Sequence, residues 1–202
     1  MTRFPLLLAV AATASALPLM AQAVEVPEVS GPPVTVQPGE VRKSLRLRDG
    51  KEVPQSGRLI DESTLEVTRE DGCSWTVATD DIYGPSLSWT NCSPGPWGTG
   101  RAENVRREGQ LWPLKVGNKV KYRFHNINSK GKVNRNAFRN CEVEDKVMVT
   151  AAGVEYPAYK VHCHDHAGTR TFYYSPEVGG TVYAEQHHKK NGKRNMEFVK
   201  WM

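Results

Sequence analysis

From residue 116 to the C-terminus the chain repeats one pattern, and that pattern excludes most folds. Short runs of apolar and polar residues in alternation are divided by clusters of turn-forming residues. VGNKVKYRFHNI (116–127) alternates as a half-buried strand should. CEVEDKVMVT (141–150), YPAYKVHCHDH (156–166), RTFYYS (170–175), GTVYAEQHH (180–188) and NMEFVKWM (195–202) follow. Ser129-Lys130-Gly131-Lys132, the 176–180 segment and Lys190-Asn191-Gly192-Lys193 separate them, and Asn-Gly between two such runs is a hairpin signal. No segment carries apolar residues at helical spacing. The pattern predicts a mostly β protein, an antiparallel meander closing as a sandwich, an open barrel or a curved sheet.

The first half reads in the same way with less contrast. Strand candidates are 41–48, 58–68 (divided around Asp61-Glu62-Ser63), 73–79 and 86–92, the last two joined through Gly84-Pro85. SPGPWGTGRAENVRREGQ (93–110) lacks alternation and reads as a long irregular loop. Residues 24–40, VEVPEVSGPPVTVQPGE, are rich in proline and glycine and read as an extended or disordered arm outside the core. Residues 1–23 have the form of a secretory leader. Arg3 precedes an apolar run and Ala21-Gln22-Ala23 offers a small-x-small cleavage point, so cleavage after Ala23 is expected. No cysteine follows that point to take a lipid. Residues 41–202 are then expected to form a single antiparallel β domain, located in the periplasm or secreted.

Composition narrows the function classes. The formal net charge is +5, Arg3 included, against 22 acidic residues, which is not a nucleic-acid signature. No stretch of the mature chain is long and apolar enough to form a transmembrane helix. All four cysteines, Cys73, Cys92, Cys141 and Cys163, follow the leader, and in an oxidising compartment an even number reads as disulfides. Four cysteines permit three connectivities. Strand registers favour 73–92 and 141–163. Placing Cys141 opposite Cys163 sets Val143 against Val161 on one face, and Glu142 against His162 and Glu144 against Lys160 on the other, with a turn near Gly153. Placing Cys73 opposite Cys92 sets Trp75 against Thr90 and Val77 against Ser88.

YKVHCHDH (159–166) is the stretch richest in chemistry. Alternation puts His162, His164 and His166 on one face and Cys163 and Asp165 on the other, so the sulfur cannot join the imidazoles. Three histidines suit zinc or copper(II), with Glu142, His187 or His188 as further ligand candidates. Glu142, Glu144 and Lys160 share that face, which reads as solvated surface with no resident cofactor. His125 and the His187-His188 pair read as surface too. Searches for reactive sets find no Gly-x-Ser-x-Gly elbow, phosphate-binding glycine loop, dinucleotide fingerprint or Cys-x-x-Cys pair. Tyr173, Tyr174, Tyr183, Trp89, Trp97 and Trp112 could line a groove, but strand positions favour the core and its edges.

LWPLKVGNKVKY (111–122), VTAAGVEYPAYKVHC (149–163) and FYYSPEVGGTVYAE (172–185) together resemble a pattern in exported bacterial proteins of unassigned function. Those proteins carry a WPL-x-VG strand start, an AG-x-x-x-AYKV hairpin and a YSPE-x-GG turn. The likeness covers the second half of the chain and leaves the histidines outside the pattern. It implies a Gram-negative envelope protein and carries over no catalytic residue. The expected role is non-enzymatic, a binding or structural one in the cell envelope, with lipid, glycan or another envelope protein as partner. The alternatives are a periplasmic zinc- or copper-binding protein using His162, His164 and His166, and a small hydrolase whose carboxylates the sequence does not single out.

Overall fold

The first strand, β1 (Val41–Arg48), pairs with the last, β12 (Gly192–Trp201), and this contact closes the sheet into a barrel. The structure is a computed structural model and describes residues 24–31, 36–37, 39–190 and 192–202. The expected leader, 1–23, lies outside the described residues. Between β1 and β12 run β2 (Lys51–Asp61), β3 (Thr64–Arg69), β4 (Ser74–Ala78), β5 (Ser88–Thr90), β6 (Gly100–Gly109), β7 (Lys119–Asn128), β8 (Val133–Ala151), β9 (Val154–Asp165), β10 (Gly168–Ser175) and β11 (Gly180–His188). Every strand pairs antiparallel with its sequence neighbours, so the meander is a closed barrel of 12 strands. The mostly β antiparallel meander expected from the sequence is present, and of the forms considered it takes the barrel, with its ends joined. Closure removes the two free edges that would otherwise expose unpaired amides and carbonyls.

A barrel of this size encloses more space than strand side chains alone fill. Chain segments take it up. The 79–87 loop turns inward and buries Asp81, Tyr83, Gly84 and Pro85. The β6–β7 connection contributes Leu111, Trp112 and Leu114, with a cis bond between Trp112 and Pro113. Tyr83 stacks on Trp112 and tilts against Phe172, while Trp112 meets Tyr174 edge-on. Of the six aromatics considered for a groove, Trp112 and Tyr174 are thus in the core, and Tyr173 and Tyr183 pair in a smaller cluster beneath Ala151, Val182 and Phe198.

The 24–31 segment is extended, as expected, but it is not outside the core. Val26 is buried within the main cluster. Its carbonyl accepts Lys146 Nζ, the Pro27 carbonyl accepts the Tyr159 hydroxyl, and the Val29 carbonyl accepts the Leu114 amide. Proline and glycine ruled out regular structure there without ruling out a valine fitted into the barrel.

Both disulfides form as the registers favoured, Cys73–Cys92 and Cys141–Cys163. In the second hairpin Glu142 faces His162 and Val143 faces Val161. A bulge follows at Glu144, so Asp145 rather than Glu144 stands opposite Lys160. Lys160 Nζ still reaches back to Glu144 Oε2 at 2.8 Å. The turn is Ala152-Gly153, both with positive φ (48° and 81°), the geometry that matches strand twist in a two-residue hairpin. In the first hairpin the expected register is one residue off. Trp75 faces Trp89 and Thr76 faces Ser88, because Asn91, at φ 55°, inserts an extra residue before Cys92.

Residues 93–110 contain a ten-residue strand where a loop was expected. After a 3-10 turn at Pro96–Gly98, β6 runs over Gly100–Gly109 and joins β5 to β7. Its side chains are mostly exposed, and an irregularity between Glu103 and Arg106 breaks its period. Ladder hydrogen bonds hold this strand, and alternation has nothing to report. β8 likewise starts at Val133, earlier than its apolar part suggests.

Candidate functional site

Strand alternation and register lay out one polar surface on the outside of the barrel. Val161, Cys163 and Asp165 of β9 are buried, so His162 and His164 point outward. Across the sheet His162 lies between Glu142 and Thr171, and Thr171 faces Glu185, which faces Asn195. The next row runs Asn140, His164, Thr169, His187 and Lys193. A cavity of about 300 Å³ opens where these rows cross β10 to β12. It is lined by Thr169, Thr171, Glu185, His187, Lys193 and Asn195, with Gln186 completing the lining.

The histidines are not drawn together. His162 Nδ1 is 3.1 Å from Thr171 Oγ1 at the edge of the cavity. His164 packs edge-on to Phe138, and His166 sits against Phe138 and Phe124 with its Nε2 3.4 Å from Asn126 Nδ2. His125 Nδ1 meets Asn104 Nδ2 at 3.2 Å, and His188 Nδ1 accepts the Lys190 amide. Among the described residues no group of three or more His, Cys, Asp or Glu is placed to hold a metal ion. Glu142 is engaged by Lys119 Nζ at 2.9 Å. Lys119, Glu142, Glu185 and Lys193 put charge on the outside of the sheet, where a membrane-spanning barrel carries an apolar band. No helix of the described residues is long and apolar enough to cross a membrane.

The inward face holds two ionic arrangements that sequence reading missed. Asp165 Oδ2 lies 3.3 Å from Arg139 Nη2 and 3.3 Å from Arg170 Nε, while Oδ1 accepts the amides of Ala167 and Gly168. Burial alone would raise this carboxyl, but Arg170, Arg139 and the Ala167 amide outweigh it and hold its pKa below the ordinary range. Gly168 is required at this corner, since an added Cβ would lie 2.0 Å from the His187 carbonyl oxygen. Arg139 also donates from Nη1 to the carbonyls of Tyr83 and Gly84, which fastens the inward loop to the wall. The second arrangement is Asp81, which accepts the Tyr122 hydroxyl and lies 3.6 Å from Arg107 Nη1. Nearer the middle of the barrel Arg46 donates from Nη1 to the Thr181 carbonyl at 2.8 Å, and burial brings its pKa down to about 10. These groups come from segments far apart in sequence, and only the aspartate of YKVHCHDH offered a signal.

No family model and no curated protein matches the chain. Solved structures similar to it include the hypothetical lipoprotein YmcC from Escherichia coli (K12), with a TM-score of 0.46 and 10% identity over 81% of this chain and 88% of that one. A putative exported protein with a YmcC-like fold from Bacteroides fragilis NCTC 9343 has a TM-score of 0.35 and 15% identity, over 82% of this chain and 96% of that one.

Proposed function

We propose that the chain is a non-enzymatic binding domain of the bacterial cell envelope and that its ligand is a glycan, held in the outward cavity on β10 to β12. The carrying observation is the lining. Thr169, Thr171 and Asn195 offer hydroxyl and amide groups, and Glu185, His187 and Lys193 add charged or ionisable ones. Sites for lipid chains and other apolar ligands are lined mainly by hydrophobic and aromatic groups. A wall of this kind instead matches the alternating donors and acceptors of sugar hydroxyls. Work outside the cytoplasm fits the two disulfides, which persist in oxidising compartments. The cavity sits on hydrogen-bonded strands, so its groups are held in place before a ligand arrives.

Titration calorimetry of the oxidised protein with neutral envelope oligosaccharides tests this reading. Saturable binding that disappears in Glu185→Ala/His187→Ala, two exposed positions whose loss leaves the core intact, is the expected result. Binding of dispersed phospholipid in place of sugar, or sugar binding indifferent to the double variant, would overturn it.

A further inference from the structure

One end of the barrel is lined on the inside with arginine. Arg170 stands opposite the buried Cys163 and also opposite Gln186, and Gln186 faces Arg194, so both arginines point inward. Arg48 faces Met196, two residues along the same face of β12. Arg69 faces Gln55, whose Nε2 lies 3.4 Å from Met196 Sδ. Four strands thereby bring Arg170, Arg194, Arg48 and Arg69 to a single arc, with His188 at its edge.

The arc has more cations than anions to match them. Asp165 is shared between Arg139 and Arg170, and Asp71 between Arg69 (2.8 Å) and Arg48 (3.7 Å). No ion pair of Arg194 occurs among the described residues. Arg139 is only 7% exposed, and its Nε is buried with no acceptor. The arginines also work against one another. Burial, then Arg69 and Arg194, lower the pKa of Arg48 against the opposing charges of Asp71 and Asp49, while burial and then Arg139 bring Arg170 down to about 10 against that of Asp165. Burial and the neighbouring Arg170 lower that of His188 as well.

We propose that this arginine-lined end of the barrel binds a phosphate group. Guanidinium forks present paired N–H donors that match phosphate oxygens, and a dianion offsets charge that Asp71 and Asp165 leave unbalanced. The site lies on the inner face, apart from the outward cavity, and does not depend on the glycan reading. The phosphate can belong to a soluble ligand or to a phospholipid headgroup, and two probes separate these sources.

The experiment is titration of the oxidised protein with pyrophosphate at low ionic strength, alongside co-sedimentation with vesicles of phosphatidylglycerol in phosphatidylcholine. Both are repeated on Arg48→Gln/Arg194→Gln, which leaves Asp71 its stronger partner, Arg69, and keeps Asp165 paired. Saturable pyrophosphate binding, weakened about tenfold or more in the variant and by added salt, is expected for a soluble source. Vesicle binding lost in the variant assigns the phosphate to a headgroup. An unchanged melting temperature shows that the variant is folded. Failure to bind either probe, or binding equal in parent and variant, overturns the proposal. Retention of neutral-sugar binding by the same variant keeps this outcome separate from that of the glycan site.

Discussion

Inside the barrel the Tyr122 hydroxyl donates to Asp81 Oδ2 at 2.5 Å, and the other oxygen of that carboxylate, Oδ1, is buried without a partner. Burial raises the Asp81 pKa, and the bond from Tyr122 and the charge of Arg107 recover only part of the cost. A carboxyl with a raised folded-state pKa contributes stability below its unfolded pKa and loses that contribution as pH rises through its folded one. Asp81→Asn keeps an acceptor for Tyr122 and removes the buried charge. The variant is expected to be at least as stable as the parent at neutral pH, and its stability should vary less between about pH 4 and neutrality. Urea unfolding at a series of pH values checks this, and a variant less stable at pH 7 would contradict it.

Asp165 works in the opposite direction. Its pKa is lowered, so its contribution is present above the unfolded carboxylate pKa and lost as pH falls through the folded one. Asp165→Asn leaves Arg139 and Arg170 without a counter-charge at a corner where the carboxylate also caps the Ala167 and Gly168 amides. The expected loss is about 3–5 kcal/mol at neutral pH, the range for breaking one side of a buried pair. Replacing Asp81 and Asp165 in parallel gives changes of opposite sign in the same unfolding assay.

The two disulfides close loops with sequence separations of 19 and 22 residues. Each is expected to contribute about 3 kcal/mol by restricting the unfolded chain. Cys141→Ala/Cys163→Ala should lose somewhat more, because both cysteines are buried in the main core and two sulfurs are removed with the bond. Comparing oxidised and reduced parent protein in urea isolates the bond from the packing.

Ala152 is a non-glycine residue at φ 48° in the β8–β9 turn, and its amide donates to Glu197 Oε2 at 2.6 Å. Alanine tolerates left-handed backbone poorly, whereas asparagine accepts it. Ala152→Asn is expected to raise stability by about 0.5–1 kcal/mol, provided the amide bond to Glu197 is kept. Glu197→Gln weakens that bond and should reduce the gain. The melting temperatures of the two single variants and the double variant give the coupling directly.

What the sequence revealed follows the physics of each element. Strands with one face in the core alternate, so β7 and β9 to β12 could be read to within about three residues at each end. β6 could not, because it is held by backbone pairing and buries little. The Cys73–Cys92 bond was legible while the register beside it was not, since one left-handed residue, Asn91, moves every pair by one. Closure of β1 on β12 joins the two ends of the domain, and no local pattern encodes such a pairing. The outward direction of His162 and His164 followed from alternation. The cavity beside them needed Thr171, Glu185 and Asn195 from three other strands, and the arginine arc needed residues from four.

The histidine row allows a last test. His162 turns to Thr171, while His164 and His166 lie against Phe138, so the imidazoles that share a sequence motif do not converge on one point. Zinc or copper held by histidine needs ligand nitrogens about 2 Å from a common centre and further hydrogen bonds to fix the rings. Residues 24–202, produced in an oxidising compartment without a histidine tag and dialysed against each metal, are therefore expected to retain far less than one equivalent of zinc or copper. His162→Ala/His164→Ala should leave that content unchanged. Metal near one equivalent in the parent, lost in the double variant, would mean that the strands rearrange around an ion, and metal handling would then replace glycan binding as the leading function.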